Sequence, residues 1–335
     1  MTSSDMPILD TSVMPTLADI RAAAERLREH AVRTPLLESR DINAMTGGRV
    51  FFKAEVLQHT GSFKFRGACN RALQLTPAQR QGGVVAWSSG NHALAMSAVA
   101  ARLGMPATIL MPSDAPRTKI DGARANGATV RLYDRKTENR EAIGAEIAER
   151  TGAVIVPPYD DPYIMTGQAT VGLEIIEQMQ ALGVTPDAVL AACSGGGLVA
   201  GVASAVHALT PKVQTYAVEP EAFDELARSL ASGTPQRNPA GAQSICDALQ
   251  VVTPGELTFA VNRQLLAGSL TVSDDEVRHA MRIAYKALKL VVEPGGAVCL
   301  AAALAGKLET AGRNLVVVLS GGNVDADAYA DILRG

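Results

Sequence analysis

The chain has 335 residues, 47% of them hydrophobic and 19% charged, which is typical of a globular protein with a large buried core. Its 34 acidic and 31 basic residues give a net charge of −3, and no basic run indicates a nucleic-acid partner. The sequence shows no apolar membrane span, no signal-peptide pattern and no metal-like spacing among its four cysteines. We therefore expect a cytoplasmic protein of about two domains with reduced cysteines and no membrane partner.

The chain begins with a polar, proline-marked arm over residues 1–16, followed by a predicted helix from Leu17 to about His30. A strand around residues 50–55 leads into a turn and a second helix, and from residue 83 apolar strands alternate with alanine-rich helices. The predicted strands cover residues 84–87, 107–111, 128–132, 153–156, 188–193, 213–218 and 315–319. This alternation predicts parallel sheets covered by helices on both faces. The proline-rich stretch 157–162 is the clearest seam, and residues 231–257 are predicted to be rich in loops.

Lys64 lies between Phe63 and Phe65, just after the turn Thr60-Gly61-Ser62 and at the start of a helical pattern. Apolar neighbours disfavour a charged ammonium and lower the pKa of a lysine, which makes it a usable nucleophile or Schiff-base partner. The alternative is a lysine that reaches solvent from the start of a helix while its phenylalanines pack in the core.

Three glycine-containing turns follow predicted strands, at the position where open α/β sheets bind their ligands. They are Ser88-Ser89-Gly90-Asn91-His92, Ser194-Gly195-Gly196-Gly197 and Ser320-Gly321-Gly322-Asn323. The second turn suits a phosphate, because glycines let backbone N–H groups approach an anion and the following helix adds positive charge at its N-terminus. A tight packing turn is the alternative there. The first turn suits a carboxylate or a phenolate, although Ser89 and Asn91 could instead cap a helix and His92 could be structural.

A dinucleotide site is a rival interpretation of the second turn. Gly195-x-Gly197-x-x-Ala200 fits the dinucleotide fingerprint, and Glu219 ends the next strand where a ribose-binding acid would lie. This interpretation leaves Lys64 and the other two turns without a role.

Taken together, these motifs resemble the serine/threonine dehydratase and serine racemase family of fold-type II pyridoxal-phosphate (PLP) enzymes. The motifs occur in the family's order, from about residue 17 to the end, and include Gly167-Gln168-x-Thr170 and Glu293-Pro294. The resemblance implies a tryptophan-synthase-β-like α/β fold of two open, mostly parallel twisted sheets with helices on both faces. The cofactor would lie in a cleft between a large domain, residues 1–76 and 159–335, and a smaller, mobile domain, residues 77–158.

The resemblance also implies residue roles. Lys64 would hold PLP as the internal aldimine and then remove the substrate Cα proton. Phe63 would flank the ring, Asn91 would bond its 3-oxygen, and Ser320 would face the pyridine nitrogen. The phosphate would be held by Ser194, Gly195, Gly196, Gly197 and Leu198, and the substrate carboxylate by Ser88, Ser89, Asn91 and His92.

The implied activity is β-elimination of water from a β-hydroxy amino acid, such as L-threonine or L-serine, to give a 2-oxo acid and ammonia. A racemase that uses Lys64 and Ser89 on opposite faces of the substrate is the alternative. The resemblance further suggests a homodimer. Arg140 could meet a second substrate carboxylate, although a solvated helix arginine is the simpler interpretation.

Two further features of the sequence are a departure from the family pattern at Ala248 and a set of candidate metal ligands. Ala248 stands where the family commonly has a glycine, which adds a methyl group near the expected cofactor edge. Some family members bind a divalent cation, and Glu219, the carbonyl of Phe223 and Glu225 fall at matching places, with oxygen ligands that suit Mg²⁺ or Ca²⁺.

Overall fold

The computed structural model describes residues 14–88, 90–115 and 117–335, so the predicted arm lies almost wholly outside the described residues. The described helices are α1 (Leu17–Leu27), α2 (Arg40–Thr46), α3 (Lys64–Leu73), α4 (Pro77–Gly82), α5 (Asn91–Arg102), α6 (Arg117–Ala125), α7 (Arg140–Thr151), α8 (Pro162–Ala181), α9 (Gly197–Leu209), α10 (Glu225–Ser232), α11 (Glu256–Leu265), α12 (Asp274–Ile283), α13 (Pro294–Leu304) and α14 (Ala326–Arg334). The described strands are β1 (Leu36–Glu38), β2 (Arg49–Ala54), β3 (Val84–Trp87), β4 (Ala107–Pro112), β5 (Thr129–Tyr133), β6 (Val154–Ile155), β7 (Ala188–Ala192), β8 (Gln214–Pro220), β9 (Gly268–Val272) and β10 (Asn314–Leu319).

The strands form two sheets, as the alternating pattern predicts. The larger sheet has the order β1-β2-β10-β7-β8-β9, and all its neighbours are parallel except the antiparallel pair β1–β2. The smaller sheet has the order β5-β4-β3-β6 and is parallel throughout. The predicted α/β architecture of two mostly parallel sheets is therefore confirmed.

The larger sheet is buried on both faces because its central strands are apolar at nearly every position. On β10, Leu315, Val317 and Leu319 pack into the core on one face, whereas Val316 and Val318 pack into the core on the other. Continuous burial of this kind is what helices on both faces of a parallel sheet require. Within the described residues, no helix is long and apolar enough to cross a bilayer.

Helix α3, which begins at Lys64, is held against α8 by close backbone contact. A Cβ placed on Gly167 would lie 2.6 Å from the Cα of Gly67, so only glycine at this position lets the two helices approach so closely. The N–H of Gly67 also donates to the side-chain oxygen of Gln168, 3.2 Å away. These contacts fix the base of the helix that carries the lysine.

A buried set of ion pairs fixes the same helix from the other side. Arg66 is 1% exposed and donates two 2.8 Å hydrogen bonds to the carboxylate of Glu55. It also donates to Glu174 at 2.7 and 2.9 Å, and Glu174 accepts a further 2.5 Å bond from Lys53. Two cations and two carboxylates are thus paired below the first turn of α3, which restrains the position of Lys64.

Candidate active site

Lys64 is half-buried at the first position of α3. Desolvation of its amine lowers its pKa to about 8. The amine donates a 2.6 Å hydrogen bond to the backbone oxygen of Pro158 and lies 5.2 Å from the centre of the Phe63 ring. The predicted apolar surroundings of Lys64 are therefore present, and Phe65 is fully buried, as the core interpretation of the phenylalanines requires.

The glycine turn Ser194–Gly197 leads directly into α9, where Gly196 has a φ of +93° and no described side chain caps the helix. The backbone oxygen of Gly195 accepts a 2.5 Å bond from the hydroxyl of Thr258, and that of Gly196 accepts a 3.4 Å bond from Asn262. Both carbonyls therefore point towards α11. Since C=O and the following N–H point in opposite directions across a trans peptide, the N–H groups of Gly196 and Gly197 point away from α11. The N–H of Gly196 meets the thiol of Cys193, and that of Gly197 is available to an anion.

The segment Pro158-Tyr159-Asp160-Asp161 contacts both Lys64 and the glycine turn. In the sequence it is recognisable only as a proline-rich seam between two regions. The carbonyl of Pro158 binds Lys64, and the ring of Tyr159 lies against the glycine turn, because a Cβ on Gly195 would be 2.4 Å from it. The carboxylate of Asp160 accepts bonds of 3.0–3.1 Å from the first turn of α11, and that of Asp161 accepts bonds of 2.8–2.9 Å from the first turn of α8. Four consecutive residues thus tie the lysine, the glycine turn and two helices together.

The turn Ser88–His92 places the N-terminus of α5 at the carboxyl end of β3. Gly90 occupies the capping position, no described side chain caps this helix, and the N–H of Gly90 donates to the hydroxyl of Ser88. Ser89 lies outside the described residues. The uncapped helix start supports the expectation of an anion site.

His92 is buried, and its Nε2 lies 3.0 Å from the backbone oxygen of Val156. Burial and the nearby amine of Lys64 lower its pKa to about 3, so the ring is neutral at pH 7 and Nε2–H is the donor to that carbonyl. The imidazole therefore has a structural partner, and the backbone N–H of His92 is the group that it offers at the start of α5.

The turn Ser320–Asn323 lies against residues 62 and 63, which come directly before Lys64. The N–H of Phe63 donates to the backbone oxygen of Ser320 at 3.1 Å, and Ser62 forms an isolated bridge with Gly321. Two buried polar atoms at this junction, the hydroxyl of Ser62 and Oε2 of Glu293, have no hydrogen-bond partner among the described residues. Unpaired buried polar atoms are costly, so their position at this junction fits a bound polar group.

Glu293, which the sequence shows only as part of the Glu293-Pro294 motif, contacts Asn91. Its carboxylate accepts a 2.6 Å bond from Asn91 Nδ2, and the oxygen of the same Asn91 amide accepts a 2.8 Å bond from Asn323. Three predicted motifs, which are distant in sequence, therefore meet at Asn91.

The residues suggested for a cation lie at the end of β8 and the start of α10. Glu219 is fully buried and accepts backbone bonds of 2.8 and 2.9 Å from the first turn of α10, as well as a 2.6 Å bond from Ser269. Glu225 is also buried; its Oε2 is bonded by Asn238, whereas its Oε1 has no partner among the described residues. Burial raises the pKa of Glu219 to about 7 and that of Glu225 to about 8. Two buried acids with an unpaired oxygen suit a cation, although the described chain holds no cluster of three or more His, Cys, Asp or Glu placed to bind a metal.

This placement of Glu219 also removes the dinucleotide interpretation. A ribose-binding acid must present its carboxylate to the ligand, whereas that of Glu219 is buried and bonded to α10 and Ser269.

Ala248 and Arg140 are the two remaining residues that the sequence singles out. Ala248 is exposed, and its methyl group lies 3.4 Å from a Cβ placed on Gly295. Arg140 starts α7 and pairs with Glu141 at 2.8 Å, while its charge is felt by Tyr159. Asp247, next to Ala248, accepts a 2.6 Å bond from Lys119 of α6.

The residues around Lys64 fit PLP. An amine with a lowered pKa, backbone N–H groups that face away from α11 and the NH₂ of Asn91 together offer a partner to an aldehyde, a phosphate and a ring oxygen. The hydroxyl of Ser320 carries no charge, so a ring nitrogen beside it would not be forced to stay protonated.

Comparisons with known proteins agree with a PLP site at Lys64. Residues 27–321 match the family model described as pyridoxal-phosphate dependent enzyme. The chain is 44% identical over 317 residues to an L-threo-3-hydroxyaspartate ammonia-lyase of Pseudomonas sp, and the match covers 95% of this chain and 98% of that protein. It is 40% identical over 330 residues to a serine racemase of Schizosaccharomyces pombe, covering 97% and 99% of the two chains.

Among solved structures, a threonine deaminase from T.th. superposes with a TM-score of 0.87. The two chains are 43% identical, and the match covers 93% of this chain and 99% of the other.

Proposed function

Because the chain belongs to the family of pyridoxal-phosphate dependent enzymes, we propose that it removes water from a β-hydroxy amino acid and so releases ammonia and a 2-oxo acid. The observation that carries this proposal is the amine of Lys64, whose pKa is lowered to about 8. It interacts with His92 at the start of α5 and bonds Pro158, whose neighbour Tyr159 lies against the glycine turn. Relatives named hydroxyaspartate ammonia-lyase, threonine ammonia-lyase and threonine deaminase support it.

When bound, PLP supplies an electron sink that makes the Cα proton of an amino acid acidic. The N–H groups at the start of α9 hold the phosphate, and those at the start of α5 hold the substrate carboxylate. The neutral amine of Lys64 takes the Cα proton. Loss of this proton and of the β-hydroxyl removes one water molecule. The enamine product then takes up one water molecule to give the 2-oxo acid and ammonia.

The experiment is an assay of purified protein with PLP on serine, threonine and 3-hydroxyaspartate, following both 2-oxo acid and ammonia. We expect equal amounts of the two products, and a loss of about 10³-fold in rate for Lys64→Ala, within the range for removal of a general base. Borohydride reduction should place the mass of the cofactor on the peptide that contains Lys64. A label on another peptide, or a fully active Lys64→Ala protein, would contradict the proposal.

A racemase is the second candidate, and the similarity to the serine racemase of Schizosaccharomyces pombe favours it. The opposite-face acid would be Ser89, which lies outside the described residues. Chiral analysis of serine recovered from the same assay separates the two activities. D-serine formed faster than pyruvate would favour the racemase.

We also propose a divalent cation at Glu219 and Glu225, with the carbonyl of Phe223 as a third ligand. The support is the burial of both carboxyl groups and the unpaired Oε1 of Glu225. A cation there would lie between β8 and α10, at carboxyl groups whose charge reaches Cys193 and Tyr159 beside the glycine turn.

For the whole molecule, we propose a cytoplasmic homodimer in which residues 77–158 move as a smaller domain. The smaller sheet lies entirely within these residues, and the four cysteines are buried free thiols, which suits a reducing compartment. Light scattering tests the dimer, and small-angle scattering with and without substrate tests the domain movement.

A further inference from the structure

The amide of Asn91 is held at both ends by side chains that are distant in sequence. Nδ2 donates to Oε1 of Glu293 at 2.6 Å, and Oδ1 accepts from Nδ2 of Asn323 at 2.8 Å. The second N–H of Asn323 is used as well, since it donates to the backbone oxygen of Thr60 at 2.7 Å. The chain Glu293–Asn91–Asn323–Thr60 is therefore continuous from the start of α13 to the turn before Lys64.

These contacts fix which end of the Asn91 amide is which. A backbone carbonyl only accepts, so the group of Asn323 that meets the oxygen of Thr60 is its NH₂, and the same NH₂ faces the oxygen of Asn91. The group of Asn91 that meets Glu293 is therefore its own NH₂. The opposite oxygen is then the acceptor for Asn323. One N–H of Asn91 remains, and no acceptor meets it among the described residues. The network thus leaves a single directed donor on a residue that is 7% exposed.

The packing around Glu293 explains why this orientation is stable. Glu293 is 2% exposed, and its own N–H donates to the backbone oxygen of Gly321 at 3.0 Å. A Cβ on Gly321 would lie 2.2 Å from Oε1 of Glu293 and 3.2 Å from Nδ2 of Asn91, so a side chain there would displace both groups. The glycine after Ser320 therefore has a definite use, which is to leave room for the hydrogen bond between Glu293 and Asn91.

The charge state of Glu293 depends on its burial and on three neighbours. Burial raises its pKa to about 7, with Asp247 acting in the same direction, while Lys119 and the bond from Asn91 oppose this rise. The Oε2 atom has no partner among the described residues. Such a buried acid is costly to maintain, which indicates that its hydrogen bond to Asn91 serves the site rather than the stability of the fold.

We propose that Glu293 and Asn323 are positioning residues that orient the amide of Asn91 so that its remaining N–H donates to the 3-oxygen of bound PLP. This inference shares only the cofactor with the proposed function, because it requires PLP at Lys64 and no particular substrate. Glu293 and Asn323 act through Asn91.

The test is a double-mutant cycle on cofactor affinity. Holoenzyme is dialysed against graded concentrations of PLP, and the dissociation constant is read from the visible absorbance of the lysine-bound cofactor. The variants are Glu293→Met, which removes the acceptor, Asn323→Ala and Asn91→Ala, with the first two also combined with the third. We expect each single change to weaken PLP binding about 3- to 10-fold, as loss of one net hydrogen bond does.

In the Asn91→Ala background, Glu293→Met and Asn323→Ala should cause no further loss, because the residue through which they act is gone. A further loss of the same factor would show that they act independently of Asn91, and unchanged affinity in the single variants would show that they do not act at all. Either result overturns the proposal.

Two controls separate this effect from general damage. Glu293→Gln keeps the size of the side chain and an acceptor oxygen for Asn91, so it should retain most of the PLP affinity that Glu293→Met loses. The unfolding midpoint of each variant is measured first, so an effect on folding is recognised. Glu276→Gln is the matched control, because Glu276 bonds Ser273 and Lys307 instead and should leave PLP affinity unchanged. Ammonia release is not measured, so failure of this inference and failure of the proposed dehydration remain distinguishable.

Discussion

The amine of Lys64 donates a 2.6 Å hydrogen bond to the backbone oxygen of Pro158, 94 residues further along the chain. The bond joins the first residue of α3 to the segment that covers the glycine turn. Because a backbone carbonyl carries no net charge, it gives the amine a partner without the strong stabilisation of the ammonium that a carboxylate would provide. Desolvation therefore dominates, and the pKa of Lys64 falls to about 8.

The first prediction concerns the reactivity of this amine. Only the neutral amine attacks an aldehyde, so labelling of Lys64 by PLP and borohydride should rise with pH and reach half its maximum near pH 8. The pKa of an ordinary exposed lysine is about 10.4. Peptide mass spectrometry measures the label on Lys64 at each pH, with N-acetyl-lysine amide as the control. If the two amines followed the same pH curve, the desolvated lysine would be contradicted.

The second prediction concerns Tyr159 and the glycine turn. Gly195→Ala should lower the free energy of unfolding by about 1–3 kcal/mol, because its methyl group would lie 2.4 Å from the ring of Tyr159. Tyr159→Ala should recover part of this loss in the double variant. Urea denaturation measures the coupling, expected at about 0.5–3 kcal/mol. Strictly additive effects would show that the ring moves aside freely. Gly268→Ala is the control, because this glycine also lacks a positive φ and a Cβ there would make only ordinary contacts of 3.7 Å with Tyr216.

The third prediction concerns the ion pairs below α3. Arg66→Met should lower the free energy of unfolding by about 3–5 kcal/mol, since it leaves the buried carboxylate of Glu55 without its bidentate partner. Arg334→Met is the control, because the pair of Arg334 with Asp331 is exposed and should contribute less than about 1 kcal/mol. Denaturant titration of both variants gives the comparison. Equal effects would show that burial of the Arg66 network does not matter.

The larger elements are predictable from sequence because each carries a repeated physical signal. Strand β10 is apolar at five consecutive positions, and its burial on both faces follows from that run. The position of the turn Ser194–Gly197, between β7 and α9, is predictable because an apolar run, three glycines and a helical pattern follow one another; its role as a ligand site stays a prediction. Strands β1 and β9 are not predicted: β1 has three residues, and β9 is half-buried and starts with Gly268 and Ser269, which are poor strand formers. The first helix ends at Leu27, before the predicted end at His30.

The missed parts of the site are those that depend on contacts distant in sequence. Asp160 is one of two adjacent acids in a proline-rich segment, and only the fold shows that it caps α11, a helix that starts almost 100 residues later. Thr258 and Asn262 hold the carbonyls of the glycine turn, but nothing in a helix sequence marks such a contact. Glu293 is visible as part of a motif, yet its bond to Asn91 spans 202 positions.

The last prediction concerns the pocket of Glu219 and Glu225. Both pKa values are raised, to about 7 and about 8, so the folded protein keeps protons that the unfolded chain loses near 4.5. The free energy of unfolding of the cation-free protein should therefore fall as pH rises from about 5 to 8. A divalent cation should reverse this fall, because it neutralises the charges that burial penalises, and its binding should release protons. Thermal unfolding with EDTA and with MgCl₂ or CaCl₂, from about pH 6 to 8.5, measures both effects.

The matched variant is Glu225→Gln, which imitates the protonated acid. It should unfold at the same midpoint with EDTA and with MgCl₂, and its stability should depend less on pH than that of the natural protein. Glu256→Gln, at an exposed glutamate of α11, should keep the full response to the cation. If Glu225→Gln were stabilised by Mg²⁺ or Ca²⁺ as strongly as the natural protein, the cation would bind elsewhere, because one of its two carboxylate ligands would have been removed without effect.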